Sequence, residues 1–112
     1  LKSAHTGKIG KVFKKARILR SMNEKEVAAE TLINIEYIKA IESGDYSVFP
    51  ARMFALQYFK KYSKFLNLEI DFFDIYNAEV VAAAEKEALT NSRKISFFTK
   101  LRLKLKKLMM QR

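Results

Sequence analysis

The chain has 112 residues, a net charge of +10 from 22 Lys and Arg against 12 Asp and Glu, and no cysteine. That length allows one compact domain of about 70–90 residues and a tail. The lack of cysteine excludes disulfides, thiolate zinc sites and cysteine nucleophiles, and it fits a reducing compartment.

Taken in order, the chain reads as helices. Residues Lys8–Arg20 place Ile9, Val12, Phe13, Ala16 and Leu19 near one face at helical spacing, with Lys11, Lys14, Lys15 and Arg17 around the rest. Asn23 predicts a helix cap, because its side-chain oxygen can accept from the free amides that follow; the capped helix ends at Thr31. A tight turn through Leu32 and Ile33 leads to a second capped helix, Asn34–Glu42, stopped by Gly44. Val27, Ala28, Thr31, Ile33, Ile38 and Ile41 supply the apolar side of this helix-turn-helix. Phe49-Pro50 ends the connecting loop, since a residue before proline is pushed out of helical geometry. The next helix, Ala51–Leu66, carries Phe54, Tyr58, Phe59, Tyr62 and Phe65. One helix buries one face, so some of these rings are left for a partner. Phe54, Phe65 and Leu68 are expected to form the core stripe, with Tyr58 and Tyr62 outside it. Asn67 follows the helix where a left-handed residue is often needed. Asp71 is expected to cap a last helix from Phe72 to about Leu89, and Thr90-Asn91-Ser92 reads as a break. The outcome is an all-α, five-helix helix-turn-helix bundle over residues 7–90 and a basic tail over 91–112. No run of about 18 apolar residues exists to span a membrane.

Catalysis finds little to work with. The only histidine, His5, lies close to a chain end and is expected to face solvent. Glycines occur at positions 7, 10 and 44 alone, so no glycine-rich loop can cradle a phosphate. The acidic residues form no recognisable constellation. These patterns predict no enzymatic activity, no metal and no cofactor.

The charge is segregated along the chain. Residues 1–22 carry seven basic and no acidic side chains, residues 23–50 net −4, residues 51–66 net +4, residues 67–90 net −5, and residues 91–112 net +8. A uniformly basic chain would point to nucleic acid. Here the negative charge falls on the helix pair that would enter a major groove. Glu36 and Glu42 are expected on the exposed face of the second helix, with Glu24, Glu26 and Glu30 on the first. Carboxylates near phosphate oppose the counterion release that drives DNA binding. Asn34, Tyr37 and Lys39 could still reach base edges, which keeps a sequence-specific DNA-binding regulator as the alternative. Under the adaptor reading any nucleic-acid binding is expected to be weak, sequence-independent and driven by the basic ends.

The tail interleaves Arg93, Lys94, Lys100, Arg102, Lys104, Lys106 and Lys107 with Phe97, Phe98, Leu101, Leu103, Leu105 and Leu108. Its leucines fit a helix or a strand equally well. The pattern suits a segment resting on anionic lipid, against a plain solvated tail.

Several segments together resemble the cytoplasmic domain of the RodZ family, which has a Cro/C1-type helix-turn-helix: Ile9-Gly10 with Ala16-Arg17; Asn23–Thr31; Tyr37-Ile-Lys-Ala-Ile-Glu-Ser-Gly-Asp-Tyr; and Pro50 followed by Tyr58-Phe-Lys-Lys-Tyr-Ser-Lys-Phe-Leu66. The resemblance covers about residues 7–77. It implies a bacterial cell-shape protein that links the actin homologue MreB to the inner membrane. In that family the helix after the proline presents aromatics four residues apart to MreB. The matching positions are Tyr58 and Tyr62, with Lys60, Lys61 and Lys64 beside them. Gln57 and Asn67 stand where the family usually has glycine. The resemblance also implies a location at the cytoplasmic face of the inner membrane. A single transmembrane helix is then expected beyond Arg112, and the start at Leu1 rather than methionine fits a piece of a longer protein.

Overall fold

The computed structural model of the chain describes residues 1–87. The anticipated lipid-contacting residues Arg93, Lys94, Phe97, Phe98, Lys100, Arg102, Lys104, Lys106 and Lys107 lie outside the described residues. Four helices are complete: α1 (Ala4–Leu19), α2 (Glu24–Thr31), α3 (Ile35–Ser43) and α4 (Arg52–Phe65). A fifth helical stretch runs over residues 78–87. The architecture is all-α, with α2 and α3 forming the helix-turn-helix. Contacts divide the chain into one unit, Leu1–Ala78, and a second, Glu79–Arg112. Among the described residues no helix is long and apolar enough to cross a membrane.

α1 starts four residues before the expected Lys8. Ser3 and Thr6 form a reciprocal cap: the Thr6 amide donates to Ser3 Oγ at 3.1 Å, and the Ser3 amide donates to Thr6 Oγ1 at 2.9 Å. Such a box satisfies two of the amides that a helix start leaves free. The Thr6 hydroxyl also donates to the Gly44 carbonyl at 2.8 Å, and the Tyr46 amide donates to the Leu1 carbonyl at 2.9 Å. These bonds tie the first residues to the end of α3. His5 accordingly meets Phe73 with the rings tilted by 45° and their centroids 4.4 Å apart, while staying exposed.

The two capped helices fall where the sequence places them. Glu26 donates its amide to Asn23 Oδ1 at 2.8 Å, and Glu36 donates its amide to Asn34 Oδ1 at 2.9 Å. Leu32 turns the chain in a left-handed conformation, φ 59°, and Gly44 ends α3 at φ 78°. Gly44 is required twice over, because a Cβ there would also lie 2.6 Å from the Thr6 backbone.

α4 opens at Arg52 and ends in a Schellman-like turn, with Asn67 at φ 56° and the Leu68 amide donating to the Ser63 carbonyl at 2.8 Å. The expected helix from Phe72 does not form there. Residues 69–77 stay irregular because their apolar side chains close the core. Phe72 stacks on Tyr46 and meets Phe59 edge-on at 5.4 Å, Ile75 is buried, and the Tyr76 hydroxyl donates to the Tyr46 carbonyl at 3.2 Å.

The core joins Phe13 of α1 to Phe59 and Tyr62 of α4, ring centroids 5.0 Å apart in both pairs. Val27, Ile33, Ile38, Ile41, Ala55 and Leu66 pack into it, with Ala40, Tyr46, Phe49 and Ile75. α1 contributes differently from its expected apolar face. Its buried residues are Thr6, Gly10, Phe13 and Arg17, whereas Val12 and Leu19 are exposed.

Candidate functional site

The helix α4 decides which aromatic rings can meet a partner. Its buried stripe is Ala55, Phe59, Tyr62, Ser63 and Leu66, one step around the helix from the expected Phe54, Phe65 and Leu68. Tyr62 is therefore not a surface anchor: it has no exposed surface, and it packs on Phe13. Burying a ring of that size contributes roughly 2–3 kcal/mol, which is why the fold takes it. The residue left outside in its place is Phe54, 42% exposed and one helical turn before the half-buried Tyr58.

Tyr58 belongs to a small aromatic stack at the junction of α3 and α4. Tyr37 lies between Phe49, on which it stacks, and Tyr58, which it meets at a tilt, with centroid separations of 4.7 and 4.9 Å. On α4, Phe54, Tyr58 and Lys61 follow one another at four and three residues, so they share a stripe. Met53 beside Phe54, and Val48 beside Phe49, are exposed as well. Lys60, Lys61 and Lys64 all face solvent. The arrangement is an apolar, ring-lined surface with Lys61 on the same stripe and Lys64 and Lys60 farther around the helix. Such a surface can bury area against a protein while long cations attract an acidic rim.

The positions suited to reading DNA are mostly committed elsewhere. Asn34 uses its side-chain oxygen as the α3 cap, and Tyr37 is held in the aromatic stack. Lys39 is exposed, but its ammonium lies 3.9 Å from Glu36. That leaves the outer face of α3 close to neutral.

Glu42 is not on that outer face, contrary to the reading from its helical position. Its carboxylate is turned inward, where Arg17 Nε and Nη2 donate to its two oxygens at 2.8 and 2.9 Å. The Tyr62 hydroxyl donates to Glu42 Oε2 at 2.7 Å, and Arg17 Nη1 donates to the Met22 carbonyl at 2.9 Å. The hydrogen bond to Glu42 raises the Arg17 pKa still further, outweighing the opposite effect of burial. Burial, then the adjacent carboxylate, pushes the Tyr62 hydroxyl far above the ordinary tyrosine range. This group of three side chains joins α1, α3 and α4. It removes Glu42 from the charges that would oppose a phosphate backbone, while Glu24, Glu26, Glu30 and Glu36 remain at least partly exposed. Sequence reasoning missed it because Arg17 and Glu42 look like ordinary polar-face residues 25 positions apart.

With this geometry, the comparison with known proteins is consistent. A family model described as a helix-turn-helix domain matches residues 12–72, more than half of the chain, and the chain belongs to that family. No curated protein and no solved structure matches it.

Proposed function

We propose that this helix-turn-helix domain is a non-enzymatic adaptor that docks an actin-like filament protein of the MreB type beneath a bacterial inner membrane. The docking surface is the α3–α4 edge, with Phe54 and Tyr58 as anchors and Lys60, Lys61 and Lys64 as steering charges. The observation that carries the reading is the exposed, ring-lined stripe on α4 beside an α3 whose outer face is nearly neutral. The resemblance of residues 7–77 to the RodZ family supports the choice of partner. The correction within that resemblance is the anchor pair: Phe54 and Tyr58 replace Tyr58 and Tyr62.

The alternative, a sequence-specific DNA-binding regulator, is favoured by membership of the helix-turn-helix family itself and by the inward turn of Glu42. One experiment separates the two. Central aromatic anchors commonly cost about 2 kcal/mol or more on truncation, about thirtyfold in affinity. Phe54→Ala/Tyr58→Ala, with its helices checked by circular dichroism, should lose at least that much in co-sedimentation with MreB filaments. Unchanged sedimentation by the folded variant overturns the adaptor reading. Selection of one duplex from a random pool at physiological salt establishes the regulator instead.

A further inference from the structure

α1 turns Thr6, Gly10, Phe13 and Arg17 into the domain and presents a second, opposite face to solvent. On that outward stripe Lys8, Lys11 and Lys15 follow at three and four residues, and Ile18 and Leu19 continue it. Lys14 and Val12 flank the stripe. All of these side chains are exposed, and Val12, Ile18 and Leu19 are 45%, 56% and 77% accessible. No acidic residue occurs anywhere in residues 1–22. Among the described residues, none of Lys8, Lys11, Lys14 and Lys15 forms an ion pair; the pairs of this domain are made by Arg17, Lys39 and Arg52. Four unneutralised ammonium groups on one helix repel one another, and the fold gains nothing from holding them together. Nor does it gain from leaving three aliphatic side chains in water beside them.

We propose that the outward face of α1 is a membrane-contact surface for an anionic lipid bilayer. The lysines meet acidic headgroups, and Ile18 and Leu19 enter the interfacial layer at the C-terminal end of the helix. Charge complementarity names an anionic occupant, and the aliphatic side chains choose the lipid. A phosphodiester backbone would neutralise the lysines but leave Val12, Ile18 and Leu19 in water, whereas a bilayer interface takes up both kinds of group. The inference stands apart from the adaptor reading: it concerns α1, not the α3–α4 edge, and it needs no filament partner. It also concerns different residues from the basic tail, whose own attraction to lipid would otherwise mask it.

The test therefore reads α1 itself in the whole chain. The protein has no tryptophan, so Leu19→Trp introduces one unique probe at an exposed position. Its emission should shift to the blue, and be quenched by brominated acyl chains, on vesicles rich in phosphatidylglycerol and not on phosphatidylcholine alone. Glu36→Trp, on the outer side of α3, should remain in water on the same vesicles. Each lysine near an anionic leaflet contributes roughly fivefold in binding, so adding Lys8→Gln/Lys11→Gln/Lys15→Gln should weaken the position-19 response about a hundredfold. These three lysines are exposed, so their replacement leaves the core intact. A probe at position 19 that stays in water on vesicles carrying the chain overturns the proposal. So does a triple variant that keeps the response. If lipid leaves position 19 in water while the triple substitution abolishes binding to a DNA duplex, the face belongs to nucleic acid and the proposal fails.

Discussion

At the scale of single residues, the Arg17–Glu42–Tyr62 group shows how much of a side chain's role depends on its neighbours. Both charged side chains are more than nine-tenths buried, and each is bonded on several sides. Removing one partner of such a pair leaves the other charge buried and uncompensated, at a cost of about 3–5 kcal/mol. Glu42→Ala should therefore lose about that much stability in urea unfolding. Replacing all three by Met, Leu and Phe of similar volume should recover most of the loss, since no charge or hydroxyl is then stranded. A loss below about 1 kcal/mol for Glu42→Ala would contradict the buried pair. The sequence named both residues but not their meeting, because the contact spans 25 positions and depends on α1 crossing α3 closely. The same reason misplaced Tyr62. A spacing of four between aromatics says that they are neighbours on a helix, not which of them faces inward.

At the scale of elements, α1 passes so close to α3 that Gly10 has no room for a side chain. A Cβ there would clash with the Glu42 carbonyl and lie 2.7 Å from the Ile41 carbonyl oxygen, and both are backbone atoms that cannot swing away. Gly7, one turn earlier, meets nothing within 4 Å. Glycine inside a helix costs about 0.5–1 kcal/mol relative to alanine. Gly7→Ala should thus stabilise the domain by about that amount. Gly10→Ala should destabilise it by about 1–3 kcal/mol, as overpacking does elsewhere. Thermal melts of the two variants check the opposite signs, and equal shifts would refute the close crossing. α2 and α3 were legible to within a residue because their signals are local: an asparagine cap at each start, and glycine after α3. The beginning of α1 was legible in principle from Ser3 and Thr6, a box with threonine in the position usually held by Glu or Gln. The segment 69–77 was not, since Asp71 is an acceptable cap and only the gap beside Tyr46 and Phe59 holds Phe72 out of a helix.

At the scale of the whole molecule, buried hydroxyls set the alkaline limit of stability. Burial pushes Tyr46 and Tyr62 well above the ordinary tyrosine range, and burial and then Asp74 raise Tyr76 in the same direction. The folded state therefore keeps protons that the unfolded chain gives up from about pH 10. The contribution of these groups is fully present below that pH and is lost as pH rises toward the folded-state values. The melting temperature should hold up to about pH 9 and fall above about pH 10, with absorbance at the tyrosinate band showing Tyr46 and Tyr62 ionising only as the domain unfolds. A melting temperature unchanged at about pH 11 would overturn this account. Charge segregation belongs to this scale too. Basic residues 1–22 become an open lysine face on α1, while acidic residues 23–50 are partly cancelled by Arg17 inside the fold.

The all-α class, the helix-turn-helix, both asparagine caps and the left-handed Gly44 and Asn67 were determined by the sequence alone, because each rests on interactions within a few residues. Tertiary structure alone decided which face of α4 is buried, where Glu42 points and why Phe72 is not helical. Those outcomes depend on volumes and charges that distant segments bring together. A 3.6-residue period is unchanged by a small rotation of the helix, so periodicity leaves the phase open until Phe13 is packed against Phe59 and Tyr62.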